Sequence, residues 1–313
     1  MTGIYLGIDT SNYTTSAALY DCGEGVVLQK KMLLPVKKGE KGLRQSDAIF
    51  HHTVMLPVLM KQLMDGNKAV LSAVGVSFAP RDAEGSYMPC FLAGTSAAGC
   101  IGAAADIPVY RFSHQAGHIA AAIYSAGRLE LLKEKFIAFH VSGGTTEVLL
   151  VEPDDNKIFN MRIICSTLDL NAGQAVDRAG VMLGLQFPCG IELEKLALQS
   201  SKTYRPDPVV KGGDCCLSGL ENRCAAMFAA GENAPDISLY CIEYIAAALV
   251  KMADFALETN GRLPLVFSGG VMSNSIIRRR LTAKFDACFA EPAFSSDNAA
   301  GVAVLANIRH RGR

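Results

Sequence analysis

His114-Gln115-Ala116-Gly117-His118 is the stretch of this 313-residue chain whose side chains and spacing most directly suggest chemistry. Two histidines four positions apart share one face of a helix, close enough to hold a divalent metal ion between their rings. The chain has 6 His in all, so this pairing is a real concentration. Two ordinary core or surface histidines are the alternative. A metal held by two imidazoles needs a further ligand, preferably a carboxylate. Asp297, behind Ser295-Ser296, supplies that carboxylate or caps the last helix, a position Asp fills well.

Three turns rich in glycine or hydroxyls follow strand-like runs: Asp9-Thr10-Ser11-Asn12, Ser142-Gly143-Gly144-Thr145-Thr146 and Ser268-Gly269-Gly270. Glycine lets backbone N–H groups approach an anion, and Ser or Thr hydroxyls add donors. A helix after the third turn would add a favourable dipole. None of the three fits a P-loop or a dinucleotide fingerprint. Together they point to a nucleotide cleft between two lobes. Asp177 is a candidate acceptor for a sugar hydroxyl, or a plain helix charge. Asn274 offers an amide to a nucleotide, or caps the helix that follows.

Positioning these groups requires strands that end at the turns. Ile4–Ser11 and Thr15–Tyr20 read as a strand and its return, with a third run over 26–33. Helical patterns cover 44–64, 92–105 and a stretch starting near Ser113; strands cover 69–78 and 107–110. Phe136–Ser142 and Glu147–Val151 repeat the opening strand–turn–strand unit, which suggests an internal duplication. Helices follow at 172–184, 190–200, 219–230 and 236–260, then a strand at 263–267 and helices at 273–285 and 297–309. The segment 201–216 reads as a loop. Alternating strands and helices in both halves argue for a two-lobed α/β fold. The expected lobes are 1–111, with the final helix 297–309 packing back on it, and 112–313 with a helical insertion.

Half the residues are hydrophobic and 19% are charged, which excludes intrinsic disorder. Lys plus Arg and Asp plus Glu both number 30, so the chain is not a general polyanion binder, although a local patch or a partner can still bring it to nucleic acid. The 10 Cys show no paired CxxC spacing. With no secretory signal pattern they read as buried thiols of a cytoplasmic protein, and no apolar run is long enough for a transmembrane helix.

Read together, these stretches resemble the tRNA threonylcarbamoyladenosine synthase family (the former glycoproteases), of the actin, sugar-kinase and heat-shock ATPase fold. The resemblance runs in order through Gly7–Ser11, His114–His118, Val141–Thr145, Gly173–Leu185, Phe187–Gly190, Leu217–Leu220, Ser268–Val271 and Ser296–Ala300. It implies duplicated lobes, and His114, His118 and Asp297 as ligands of one iron or zinc ion. It also implies contacts to an adenine nucleotide or acyl-adenylate, with Mg2+ alongside, from Ser142, Gly143 and Gly144 and from Asp177, Gly190 and Asn274. Asp9, Thr10, Ser11, Thr145, Gly269 and Gly270 complete the expected binding set. The implied reaction moves a threonylcarbamoyl group from threonylcarbamoyl-AMP to N6 of tRNA adenosine 37. A homodimer or a paralogous partner is implied too, and no membrane.

The sequence departs from the family where chemistry is done. Tyr13 and Thr14 stand where the family has Asp-Glu, and Ala79-Pro80-Arg81 replaces a Gly-Pro-Gly loop. Glu221 replaces a Lys, Thr145 a His and Cys189 a Gly. Loss of the acidic pair removes one means of accepting the acceptor amine's proton. A divergent paralogue is expected, so carbamoyl transfer to another acceptor, and a silent nucleotide-binding scaffold, stand beside tRNA modification.

Overall fold

Residues 3–11, 13–35, 43–66, 70–295 and 298–312 are described in a computed structural model. The chain divides into two compact units, Met1–Leu129 with Ser296–Arg313, and Glu130–Ser295.

In the first unit β1 (Ile4–Asp9), β2 (Thr14–Asp21) and β3 (Val26–Leu33) form an antiparallel meander. Helix α1 (Gln45–Met64), β4 (Leu71–Ala79), α2 (Phe91–Ala105) and β5 (Val109–Ser113) follow, and both β4 and β5 run parallel to β1. The sheet order is β3-β2-β1-β4-β5. Alternating apolar residues drive it: Leu6, Ile8, Val74, Val76 and Leu19 pack against Leu56 and Leu63 of α1 and Ala98 of α2. Strand β5 runs directly into α3 (His114–Ser125) because Ser113 ends the strand and caps the helix, its hydroxyl accepting from Ala116 N at 3.2 Å.

The second unit repeats this plan. Strands β6 (Phe136–Val141), β7 (Thr146–Asp154) and β8 (Ile158–Ser166) form an antiparallel meander. Helices α4 (Ala172–Met182) and α5 (Gly190–Ala197), a short hairpin β9 (Val210–Lys211) and β10 (Asp214–Cys215), and α6 (Ser218–Ala229) come next. They are followed by α7 (Ala234–Asn260), β11 (Leu265–Ser268), α8 (Ser275–Thr282), β12 (Ala287–Phe289) and the one-turn α9 (Pro292–Ser295). The sheet order is β12-β11-β6-β7-β8, with β11 parallel to both β6 and β12. Order and strand sense match the first sheet, β6 corresponding to β1 and β11 to β4, so the lobes are duplicated.

Helix α7 is the backbone of the second core. Asn233 caps it, accepting from Asp236 N at 2.9 Å, and its Ile242, Ile245, Leu249 and Met252 belong to the same buried core as Ile137, Phe139 and Phe267 of the sheet. Each such fully buried side chain is worth about 1.5–3 kcal/mol of burial.

Helix α10 (Ala300–His310) returns to the first unit and packs on β1, β4 and α3. The sequence reading changed lobes after residue 111; α3 instead groups with the first unit, because its small residues lie against α10. Strands β8 and β12 were not anticipated. The segment read as a loop over 201–216 contains β9 and β10 and is tied to α7 by Lys202, which bridges Asp236 and Glu232; just before it Ser200 Oγ donates to Asp236 at 2.5 Å.

Candidate functional site

The histidine pair lies in the first unit. His114 opens α3 and His118 follows one turn later, with their Nε2 atoms 2.9 Å apart and the rings edge to face. His114 Nδ1 lies 2.8 Å from Asp9 Oδ2 at the end of β1. The same Asp9 oxygen accepts from Ser77 Oγ of β4 at 2.5 Å, while Asp9 Oδ1 accepts from Ser11 N at 2.8 Å. Burial alone would raise the Asp9 carboxyl. The charge and hydrogen bond of His114, with the bonds from Ser11 and Ser77, outweigh it and hold Asp9 below its ordinary value.

These residues fit a metal in part. Two ring nitrogens 2.9 Å apart lie within the span that one ion bonded at ~2.0–2.1 Å to each would bridge. The expected third ligand, Asp297, lies outside the described residues. Among the described residues no group of three His, Cys, Asp or Glu surrounds a common point. Thr10 is engaged elsewhere: its hydroxyl donates to Cys90 O at 3.0 Å and accepts from Gly94 N at 3.1 Å, tying β1 to α2.

The two glycine turns lie in the second unit, at the carboxyl ends of the adjacent parallel strands β6 and β11, where α/β sheets receive ligands. The Ser142–Thr145 turn is closed by Ser142 N donating to Thr145 O at 2.7 Å, and Ser142 Oγ accepts from Gly144 N and Thr145 N. Gly143 and Gly144 are exposed. Helix α4 starts against this turn: Gly173 N donates to Ser142 O at 3.1 Å and Ala172 N to Thr146 Oγ1 at 2.9 Å. Gly269 sits over Val141 with φ +98° and Gly270 is exposed.

Asp177 is one helical turn beyond Gly173. Its Oδ1 accepts from Cys189 N at 2.8 Å, at the start of α5 beside Gly190. Burial raises the Asp177 carboxyl and the Cys189 bond partly offsets this. Asn274 Oδ1 accepts from Ile276 N and Ile277 N and so caps α8. Glu194 of α5 binds Ser275 N and Oγ at 2.8 and 2.6 Å, which joins α5 to α8. Thus Ser142–Thr145, Gly269 and Gly270 share one strand-end edge, while Asp177 and Gly190 share a second junction. Glu221 pairs with Arg178 at 2.7 Å, an exposed bridge worth little.

Sequence reasoning missed Ser77, Glu194 and Asp169. Ser77 carried one usable signal, a hydroxyl at the end of a buried strand. Asp169 fastens the segment before α4 to α6: Oδ1 accepts from Leu217 N at 2.7 Å and from Leu170 N, and Oδ2 accepts from Ser218 Oγ at 2.5 Å. Burial raises its carboxyl, but the bonds from Ser218, Leu217 and Leu170 win and lower it. A depressed folded value means its stabilisation is present above the ordinary value of 3.8 and disappears as pH falls below that through the folded value. Asp169→Asn is therefore expected to lower the thermal midpoint at pH 7, with the gap from wild type closing toward pH 3. Melting curves across that range check it.

None of the ten cysteines is joined in a disulfide. Burial pushes Cys165 up to about 12 and Cys215 up to about 11, which favours the protonated thiol at both. Among the described residues no helix is long and apolar enough to cross a membrane.

The repeated strand order defines the class as the actin, sugar-kinase and heat-shock ATPase fold. Full-length HypF in its phosphate- and nucleotide-bound form is similar with a TM-score of 0.60 at 14% identity, over 99% of this chain and 46% of that one. Component A of the Acidaminococcus fermentans (R)-2-hydroxyglutaryl-CoA dehydratase is similar with a TM-score of 0.57 at 14% identity, over 99% of both chains. Within that class the chain belongs to the TsaD family, tRNA N6-adenosine threonylcarbamoyltransferase, whose profile matches residues 36–304. The tRNA N6-adenosine threonylcarbamoyltransferase of Aromatoleum aromaticum is 29% identical over 323 residues, covering 97% of this chain and 90% of that protein. A probable bifunctional tRNA threonylcarbamoyladenosine biosynthesis protein of Thermoplasma acidophilum is 27% identical over 282 residues, 89% of this chain. The chain spans about half the length of such bifunctional relatives, 50% and 54% in two of them.

Proposed function

We propose that the chain is a metal-dependent transferase that moves a threonylcarbamoyl group from its adenylate to N6 of a tRNA adenosine. The observation that carries this reading is the pair of Nε2 atoms facing each other across 2.9 Å, with Asp9 behind one ring. His114 and His118 would hold an iron or zinc ion, with Asp297 as the proposed third ligand. When bound, the ion supplies Lewis-acid polarisation of a carbamoyl or phosphate oxygen. The Ser142–Thr145 turn would receive the phosphate and the negative charge that develops on the carbonyl oxygen through the Gly143 N–H, joined by the Gly144 and Thr145 N–H groups once these leave Ser142 Oγ. Gly269 and Gly270 would leave room for the phosphates, with Asp177, Gly190 and Asn274 toward the nucleoside and Mg2+ alongside. In the transfer the adenine N6 bonds to the carbamoyl carbon, the carbon–oxygen bond to AMP breaks, AMP leaves with its electron pair and N6 loses a proton.

The double variant His114→Ala/His118→Ala is expected to lose bound metal and with it transfer to tRNA, read by metal analysis and by mass spectrometry of digested tRNA. Unchanged metal content would sink the ligand assignment.

A second reading is carbamoyl transfer to a different acceptor. It is favoured by Tyr13 and Thr14, which stand where the family carries two acidic residues; Thr14 is buried in β2 with its N–H on Ser11 O. Incubation with threonylcarbamoyl-AMP and, separately, with carbamoyl phosphate and ATP, each with and without tRNA, separates the two. A product formed only with tRNA supports the first reading. A product formed without tRNA supports the second. Nucleotide binding with no product from either favours a silent paralogue.

A further inference from the structure

The Asp9 carboxylate was expected at the nucleotide, yet its surroundings assign it elsewhere. Asp9 is 1% exposed. Its Oδ2 receives both the Ser77 hydroxyl and His114 Nδ1, and its Oδ1 holds Ser11 N. Two hydrogen bonds fill the lone pairs of Oδ2, and burial leaves Oδ1 out of reach of a ligand. A carboxylate only accepts, so the proton between it and His114 sits on Nδ1. A neutral ring protonated at Nδ1 carries its lone pair on Nε2, the atom that faces His118 Nε2 at 2.9 Å.

The backbone explains why this geometry holds. Asp9 ends β1, one residue beyond the Ile8–Val76 pairing with β4, so Ser77 is its lateral neighbour across the sheet. His114 is the first residue of α3, directly after Ser113, which both pairs with β4 and caps the helix. Three elements of one unit thus converge on one oxygen atom, with no loop between β5 and α3 to blur the position of His114.

We infer that Asp9 is a positioning residue, oriented by Ser77, that fixes the tautomer and rotation of His114 so that its Nε2 is presented with that of His118 to a divalent cation. This rests on the reading of His114 and His118 as metal ligands given above. A hydrogen-bonded carboxylate behind a ligating histidine raises its basicity and restricts its ring, and losing such a partner costs about 10–100-fold in metal affinity.

The test is zinc affinity of the whole chain, measured by competition with a chelator, for wild type, Asp9→Asn, Ser77→Ala and His114→Ala. Ring nitrogens of 15N-labelled wild type, read by NMR before zinc is added, report the tautomer without any variant. The expected results are His114 protonated at Nδ1, about a 10–100-fold loss of zinc affinity in Asp9→Asn, and a smaller loss in Ser77→Ala. Ser77→Ala keeps the test decisive should Asp9→Asn not fold. Zinc affinity unchanged in both variants but lost in His114→Ala overturns the positioning role alone, as does a wild-type His114 protonated at Nε2. A wild-type chain that takes up no zinc removes the metal reading and this inference together.

Discussion

Gly301→Val is expected to yield little folded protein, and Gly301→Ala a chain with a clearly lowered thermal midpoint. Helix α10 meets α3 backbone to backbone at this position. A Cβ on Gly301 would fall onto the carbonyl oxygen of Gly117 and within 2.8 Å of Ala121 N. These are main-chain atoms inside a hydrogen-bonded helix and cannot swing aside as a side-chain tip can. Forcing atoms into a packed interior costs about 1–3 kcal/mol and sometimes more. Valine at a backbone contact belongs at or beyond the upper end, against a total stability of roughly 5–15 kcal/mol. Gly117 lies between His114 and His118, so whatever Gly301→Ala protein folds should also bind zinc more weakly. Denaturant melts and zinc titration of the same preparation check both effects. A variant that melts and binds like wild type would contradict the close approach.

The second large effect is expected at Gly269. Its φ of +98° with ψ of 157° lies in a region that is essentially reserved for glycine, and holding another residue there costs about 1–3 kcal/mol. A side chain would also overlap the backbone of Val141, the last residue of β6. Gly269→Ala therefore either unfolds the edge or pushes β6 and β11 apart where the Ser142–Thr145 turn begins. Stability should fall by several kcal/mol on the sum of strain and overpacking, about 2–6 kcal/mol. ATP affinity should drop more than in Gly270→Ala, whose Cβ meets open space. Equal affinities in the two alanine variants would show that the Gly269 conformation does not support the nucleotide edge.

Much of this was legible before folding. The apolar runs of β1, β6 and β11 and the glycine or hydroxyl turns after them identified the strand-end edges. Ser113 marked the start of α3 and the spacing of His114 and His118 put both on one face. Strands β8 and β12 escaped because their cues were weak. β8 alternates irregularly over Ile158–Ser166 with Arg162 exposed at its middle, and β12 is only three residues long. The joining of Asp9 to His114, 105 positions apart, had no local trace. Neither did the use of Asp177 to hold Cys189 N at the start of α5, whereas the capping of α8 by Asn274 was one of the two readings its position offered.

Hydrophobic period and turn chemistry act between near neighbours, so the sequence by itself determined most of the element types, the repeated strand–turn–strand unit, the family and the histidine pair. Which oxygen meets which nitrogen depends on strands and helices brought together from distant parts of the chain. Only the tertiary structure could place Ser77 and His114 on the same atom of Asp9, because only sheet pairing sets β4 beside β1 and only the direct passage from β5 to α3 aims the ring.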